Sequence, residues 1–383
     1  MTDSHYRLRL PGPTAVPERV RQAIARPVLS HRGPEFRAIF TRAEELLQPI
    51  LGTRSRVLFF ASSGTGMMEA SLANILAPGE RVLVSCHGQF GERFAAIARA
   101  LGATVDTLDI PWGEAPDPAR IERRVLAADY RAVVVVHNES STGVVAPLAE
   151  IGALLRGSPT LLVVDSVSGL GGIEMRQDDW GVDIVASSSQ KALMCPPGLG
   201  MVSMSPKARE VAGRDDRLPR YYWDFRKALA AVEDSGTVFT TPVSLMAGLC
   251  EALEMIHEEG LPHVLARHCR LSSALRAGCE ALGLYSFPQS PAISSTVVCL
   301  HVPEGLRGGD IVRGLYQRHG TVIAGSRNKL EGRVIRIGAM GHISGGDIIT
   351  DLLHLEDVLP ALGFAVTPGA GVAAAAQELS HAR

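Results

Sequence analysis

Two ionisable residues follow short apolar runs of the chain, in positions suited to chemistry on a bound ring. Lys191 lies in a polar loop after the run Asp183–Ala186, and Asp165 ends the run Leu161–Asp165. A lysine at the end of a buried strand can be desolvated and become a nucleophilic amine near neutral pH. A carboxylate on a neighbouring strand can keep a pyridine nitrogen protonated. An electron-withdrawing aldehyde cofactor needs both groups, so the pair indicates pyridoxal phosphate (PLP) chemistry.

Other candidate groups also follow apolar runs. The small residues Ala61–Gly66 precede a helical run, and the free amides of a helix N-terminus favour a phosphate. Phe90 could stack on a heteroaromatic ring, and Ser140 lies in a polar segment suited to a phenolic oxygen and a phosphate. Arg336, in an alternating strand, could hold an α-carboxylate bidentately. Each feature alone is also typical of a turn, a core aromatic or a surface arginine, but together they meet the requirements of one cofactor.

The bulk composition excludes several other classes of protein. The chain has 383 residues and a net charge of -2, and no run of Lys or Arg stands out, so neither nucleic acid nor an anionic membrane is the expected partner. No N-terminal signal and no apolar stretch long enough to span a bilayer is found. The six cysteines are scattered without Cys-x-x-Cys or zinc-ligand spacing, which is typical of reduced thiols in a cytoplasmic protein.

The order of the elements predicts an α/β fold. Short apolar strands alternate with amphipathic helices between Arg54 and Ser205, which is typical of a mostly parallel sheet covered on both faces. Ligands collect at the carboxyl ends of the strands in such sheets, where Gly64 and Thr65, Phe90, Ser140, Asp165 and Lys191 all fall. We expect an N-terminal arm (1–20), a large domain (21–260), a smaller α+β domain (261–365) and a flexible Gly/Ala-rich tail (366–383).

At this point the chain resembles the class V aminotransferases of PLP fold type I, and among them the alanine/serine–glyoxylate aminotransferases. The resemblance covers most of the chain and implies a seven-stranded sheet in the large domain. Its motifs are specific for the superfamily and much less so for the substrate. They are Leu10–Thr14, Ser63–Gly66, Gly88–Gly91, Glu139–Gly143, Asp165–Gly172, Ser189–Leu193 with Pro196–Gly198, and Arg336–Gly341.

The resemblance also implies roles for individual residues. Lys191 would carry PLP as an internal aldimine, Asp165 would pair with the ring nitrogen, and Val167 and Phe90 would cover the two ring faces. Arg336 would bind the substrate carboxylate. Contacts to the phosphate or ring oxygen are implied for Ser63, Gly64, Thr65, Ser140 and Gln190, and Thr240 would reach the phosphate of the neighbouring subunit. A tyrosine that some relatives carry three positions before that threonine is Thr237 here.

The implied activity is transamination between a small amino acid, alanine or serine, and a 2-oxo acid such as glyoxylate or pyruvate, in a homodimer with shared active sites. Ureidoglycine–glyoxylate, aspartate-type and pyridoxamine–pyruvate aminotransferases stay open as alternatives, since these differ around Tyr221, Tyr222 and Trp223. A cysteine desulfurase or β-lyase would need a mobile catalytic cysteine. Cys195 is the nearest candidate, but the two prolines after it favour a rigid turn. A non-catalytic PLP-fold protein is disfavoured, because both the lysine and the aspartate are present.

Overall fold

The structure of the protein is a computed structural model that describes residues 6–214, 218, 220–234, 236–289 and 291–381. Residues 1–5 of the expected arm and 382–383 of the expected tail lie outside these ranges. The strands are β1 Arg7–Leu8, β2 Val57–Ser62, β3 Arg81–Cys86, β4 Thr104–Asp109, β5 Ala132–Val136, β6 Asn138–Glu139, β7 Val144–Val145, β8 Leu161–Asp165, β9 Ile184–Ser188, β10 Gly198–Met204, β11 Val297–His301, β12 Thr321–Val322, β13 Ala324–Gly325 and β14 Val334–Gly338.

The helices of the described ranges lie between and around these strands. They are α1 Glu18–Ile24, α2 Pro34–Leu51, α3 Gly64–Ala73, α4 Gln89–Ala100, α5 Pro118–Ala127, α6 Leu148–Leu155, α7 Gln177–Trp180, α8 Pro206–Gly213, α9 Phe225–Glu233, α10 Val243–Glu259, α11 Leu261–Ala281, α12 Gly308–His319, α13 Gly345–Ala361 and α14 Ala370–His381. A 3-10 turn spans Asn328–Leu330.

The central element is a seven-stranded sheet with the order β2-β10-β9-β8-β5-β3-β4. Only β10 runs against its neighbours, β2 and β9, and the other pairs are parallel. The inner strands β5 and β8 are buried at every position, as expected of a parallel sheet with both faces covered. The predicted α/β fold with a mostly parallel seven-stranded sheet is therefore confirmed.

A second, smaller core lies in the C-terminal part of the chain. There β11, β14 and β13 form an antiparallel sheet. Its buried cluster includes Leu271, Leu300, Ile335 and Leu352, whereas the last residue of the large cluster is Val264. The change of core within α11 supports the expected division at about residue 260, and the exact domain boundaries stay a prediction.

The N-terminal segment packs on this smaller core rather than standing apart. Strand β1 pairs with β12 in parallel. Arg9 forms ion pairs with Asp347 at 2.6 Å and with Asp351 at 2.8 Å, and Arg7 contacts the same two carboxylates. Because Arg9 and Asp351 are both buried, these pairs fix where the following residues enter the fold.

Several elements differ from the sequence-based expectation. The tail expected to be flexible forms helix α14, which packs on α11 with Ala375 fully buried. Alanine favours helix strongly, and Gly371 permits a close approach because a Cβ there would lie 2.9 Å from Leu282. Strand β4 was not predicted, because it lies at the sheet edge with only one buried position and therefore lacks an apolar run. Helix α2 was not predicted either.

None of the helices in the described ranges combines the length and the apolar character that crossing a membrane requires. The same ranges contain no group of three or more His, Cys, Asp or Glu side chains that could hold a metal ion. All six cysteines are free thiols.

Candidate active site

The predicted site residues meet at one edge of the central sheet. Strands β2, β3, β5, β8 and β9 all point their carboxyl ends to that edge, since the antiparallel β10 lies between two strands of the same direction. A cleft of about 440 Å³ opens there. It is lined by Leu10, Pro11, Gly12, Gln89, Phe90, Arg93, Ser140, Lys191, Ala324, Gly325, Ser326, Arg327 and Arg336.

The amine of Lys191 is held by the N-terminal segment. Its Nζ donates a hydrogen bond to the carbonyl oxygen of Pro11. Desolvation lowers the pKa of Lys191 to about 8, with the cations Arg336 and Arg93 acting in the same direction and Asp165 opposing them. A neutral amine is therefore accessible near physiological pH, which is the form needed for attack on an aldehyde.

Asp165 lies at the end of β8, with 3% of its surface exposed, and interacts electrostatically with Lys191 and Arg93, which line the cleft. Its Oδ1 accepts a 2.7 Å hydrogen bond from the amide of Val167. Desolvation raises the pKa of Asp165 to about 6, and the Val167 amide and the cations Lys191 and Arg93 oppose that shift. A buried carboxylate of this kind is stabilised by a cationic ring N–H, so the residue fits its predicted partner.

The expected phosphate cradle lies at the first turn of α3. The side chain of Ser63 accepts from the amide of Gly66 at 3.2 Å, and the first amides of the helix have no partner within the helix. A Cβ at Gly64 would lie 2.6 Å from Val167 Cγ2, so this turn and the predicted ring-facing valine are in contact. Thr65 Oγ1 accepts a 2.8 Å bond from Arg93.

Two buried polar side-chain atoms, at the end of β9 and in the loop after it, have no partner among the described residues. They are Ser188 Oγ, which would lie 3.1 Å from a Cβ at Gly64, and Gln190 Oε1. An unpaired buried polar atom is costly, and a bound polar ligand could supply a partner for both of these atoms. With the helix terminus, the low-pKa lysine and the buried aspartate, these residues fit PLP.

Arg336 is anchored so that it can still bind a carboxylate. Its Nε and Nη2 donate to the carbonyl oxygen of Gly325 at 3.2 and 2.8 Å, and its Nη1 donates to that of Ser140 at 3.1 Å. A guanidinium has five N–H groups. With these three used, two remain, one on each terminal nitrogen. Both of these N–H groups can donate to a bound carboxylate.

Phe90 was predicted as a site residue, but Arg93, which packs against its ring, was not. Both lie on α4 and line the cleft, and the Arg93 guanidinium carbon lies 4.5 Å from the centre of the Phe90 ring. Arg93 was missed, although its position three residues after Phe90 on a predicted helix places the two side chains on one face. Pro11 and Gly12 lie in the motif Leu10–Thr14, but no role in the site was predicted for them, and Arg327 was missed because it lies in none of the motifs.

Thr240 is not brought together with the other predicted residues within one chain. It is exposed and lines a separate surface depression with Tyr222 and Phe239. The hydroxyl of Thr237, where some relatives carry tyrosine, donates to the carbonyl oxygen of Phe239 at 2.8 Å. The predicted contact of Thr240 with a neighbouring subunit stays a prediction.

Cys195 has the wrong environment for a mobile nucleophile. It is 1% exposed, and its thiol lies 3.6 Å from the carbonyl oxygen of Leu245. Burial raises the pKa of Cys195 to about 12, so little thiolate forms near neutral pH. This geometry disfavours the desulfurase alternative.

The sheet and the cleft fit an enzyme that transfers amino groups with the help of PLP. The aminotransferase class V family model matches residues 14–337, and the chain belongs to that family. The predicted family and the predicted enzyme class are thus confirmed.

Known relatives span nearly the whole chain. A protein of Synechococcus sp. (strain PCC 6716) named "Soluble hydrogenase, small subunit" is 38% identical over 98% of both chains. An L-aspartate–glyoxylate aminotransferase of Paracoccus denitrificans is 37% identical over 96% of this chain and 94% of its own. A serine–glyoxylate aminotransferase of Methylorubrum extorquens is 36% identical over 97% and 95%. Among solved structures, an alanine–glyoxylate aminotransferase of Nostoc sp. superposes with a TM-score of 0.90 at 32% identity, covering 94% of this chain and 96% of its own.

Proposed function

We propose that this aminotransferase moves the amino group of a small amino acid, alanine or serine, to a 2-oxo acid such as glyoxylate or pyruvate. The observation that carries the proposal is that Lys191 and Arg336 line one cleft and that the buried Asp165 interacts electrostatically with Lys191. The relatives from Methylorubrum and Nostoc, which are named for serine or alanine and for glyoxylate, support this choice of substrates. We do not propose the hydrogenase activity for which the Synechococcus protein is named, because a desolvated lysine and an arginine suited to a carboxylate are the side chains that amino transfer requires.

Each residue has a defined task in this reaction. Bound PLP supplies an electron sink for the bond that breaks at the substrate α-carbon. Arg336 binds the substrate carboxylate and orients the α-carbon, and the free amine of Lys191 removes the α-proton and later returns a proton to the cofactor side. Asp165 keeps the proton on the ring nitrogen. Ser63, Gly64, Thr65, Ser140 and Gln190 hold the phosphate and ring oxygen, while Val167 and Phe90 cover the ring faces.

A second candidate donor is L-aspartate. The charged side chains that line the cleft, Arg93, Lys191, Arg327 and Arg336, are all cationic. Arg327 is exposed on the loop after β13, and an added carboxylate on the donor would meet its guanidinium. The Paracoccus relative, named for L-aspartate and glyoxylate, supports this reading. In Arg327→Gln, an aspartate enzyme would lose kcat/KM for aspartate selectively, whereas an alanine or serine enzyme would keep its preference.

We further propose a cytoplasmic homodimer in which Thr240 completes the partner's phosphate site. Thr240 is exposed outside the Lys191 cleft, beside Tyr222, and Tyr221 next to it is 74% exposed. Six free thiols are in keeping with a reducing compartment. Sedimentation velocity should give a dimer, and an active monomer would contradict the shared site.

The direct test of the proposed function is to add single amino acids to the purified PLP-loaded enzyme without any 2-oxo acid. The true donor should change the absorbance of the bound cofactor within a half-reaction, and glyoxylate should then restore it. Lys191→Ala should convert the cofactor to its amine form with none of the donors, because it lacks the group that moves the α-proton. Release of sulfide from cysteine, with no response to any amino acid plus glyoxylate, would contradict the proposal.

A further inference from the structure

Glu139 is a fully buried carboxylate close to the cleft residues Phe90 and Ser140. It lies on β6 with none of its surface exposed, and its side chain reaches the start of α4. Its Oε2 accepts from the amide of Phe90 at 2.9 Å and from that of Gly91 at 3.2 Å. Its Oε1 accepts from the amide of Ser141 at 3.1 Å and from the Ser141 hydroxyl at 2.5 Å.

These bonds make Glu139 the cap of a helix 49 residues away in the sequence. The residue that precedes α4, Gly88, has no side chain to cap it. A Cβ at Gly88 would lie 2.2 Å from Glu139 Cγ, so glycine leaves the room that the carboxylate needs. Negative charge at a helix N-terminus is stabilised by the free amides and the helix dipole.

The cap acts on two groups that line the cleft. The amide of Phe90 is bonded directly, which fixes where the ring leaves the helix. Ser140 follows Glu139 in the chain, and its carbonyl oxygen accepts from Arg336 Nη1 at 3.1 Å. One buried side chain therefore sets the backbone on both sides of the cleft.

We propose that Glu139 is a positioning residue that holds Phe90 against the cofactor ring and Ser140 against Arg336. The role rests on the proposed function, since it presumes that PLP binds in the cleft. Glu139 does not touch the cofactor or the substrate. It acts through the residues that do.

The test compares PLP binding by apoenzyme variants. Glu139→Gln keeps the size of the side chain, but its amide nitrogen cannot accept the two bonds now made to one of the oxygens. We expect PLP affinity to fall about tenfold, in line with the loss of one charge-assisted hydrogen bond. The visible circular dichroism of the bound cofactor should also shrink, because that signal reports how the ring is held.

A matched control is Glu356→Gln. Glu356 accepts from the amides of Gly369, Gly371 and Val372 and so caps α14, which is a similar cap away from the cleft. This variant should keep the affinity and the cofactor signal of the parent. An equal loss in both variants would show that general destabilisation, not positioning, is the cause.

A double-mutant cycle with Phe90→Ala tests whether Glu139 acts through the ring. If it does, the effects of the two changes on PLP affinity overlap, and the double variant is weaker by less than the product of the single effects. Independent effects would contradict this part of the proposal.

If Glu139→Gln does not fold, Ser141→Ala answers the same question. The Ser141 hydroxyl donates to Glu139 and accepts from the amide of Gln89 at 2.9 Å, so its loss weakens the same cap. A smaller change in the same direction is expected. Unchanged PLP affinity and circular dichroism in a folded variant would overturn the role of Glu139, whereas failure of the parent to bind PLP would overturn the proposed function itself.

Discussion

The guanidinium of Arg336 is tied to the carbonyl oxygen of Ser140 by a 3.1 Å hydrogen bond. Arg336 belongs to β14 of the smaller core, whereas Ser140 follows the central strand β5, so the bond joins the two parts of the molecule at the cleft. Two further bonds to Gly325 hold the same side chain. The group proposed to bind the substrate carboxylate is thus fixed relative to Lys191.

Replacing Arg336 with lysine should weaken substrates that carry a carboxylate. Lysine cannot reproduce the bidentate contact, so we expect KM for donor and acceptor to rise roughly 10- to 100-fold with PLP loading unchanged. Steady-state kinetics and cofactor absorbance measure the two effects. Arg333→Lys, at an exposed position on the same segment, should leave KM unaltered. Equal loss of PLP loading would show that Arg336 has a different task.

Gly12→Ala should damage the site through Lys191. A Cβ at Gly12 would lie 2.3 Å from Lys191 Cδ, and the residue has a φ of +101°. We expect at least a tenfold loss of kcat, because small displacements of a catalytic group are costly. A substitution at Gly79 is the control for backbone strain alone. Gly79 also has a positive φ, +87°, but a Cβ there meets nothing within 4 Å. Gly79→Ala should lose only about 1–2 kcal/mol of stability and keep full activity. Equal kcat in the two variants would contradict the close packing at Gly12.

The reaction of apoenzyme with PLP should depend on the ionisation of Lys191. Its pKa is lowered to about 8, so the nucleophilic neutral amine is the minor form below that pH and the major form above it. The rate of covalent attachment should therefore rise as the pH increases through about 8 and then level off. Stopped-flow absorbance measures the rate, and Lys191→Ala should show no such step. A midpoint near the ordinary lysine value of about 10.4 would mean that the amine is not desolvated.

Removal of helix α14 should destabilise the smaller core. Ala375 is fully buried there, and Val372 and Leu379 pack against the same cluster. A chain that ends after Gly369 exposes this apolar surface, so we expect the thermal unfolding midpoint to fall by several degrees. An unchanged midpoint would indicate that the segment behaves as the flexible tail expected from its composition.

Residues next to strand ends could be predicted because the physical signal is local. An apolar run such as Val133–Val136 must be buried on both faces, and the polar residue that follows it then falls at the edge where ligands collect. Asp165, Lys191 and Ser140 were all found in this way.

The rest of the cleft depends on contacts that are distant in the sequence. Pro11 and Gly12 form one wall only because β1 pairs with β12, more than 300 residues later, and no local pattern marks that pairing. Arg327 lies on a loop set by the smaller sheet. The tail was misjudged because a Gly/Ala-rich composition fits both a disordered segment and a closely packed helix, and the partner α11 decides between them.

The most direct test of the account is to locate PLP on the protein. The purified enzyme, loaded with PLP, is reduced with borohydride, digested and analysed by peptide mass spectrometry. A phosphopyridoxyl group is expected on the peptide that contains Lys191, and none on Lys207, Lys227 or Lys329. Modification of another lysine, or of none, would contradict it.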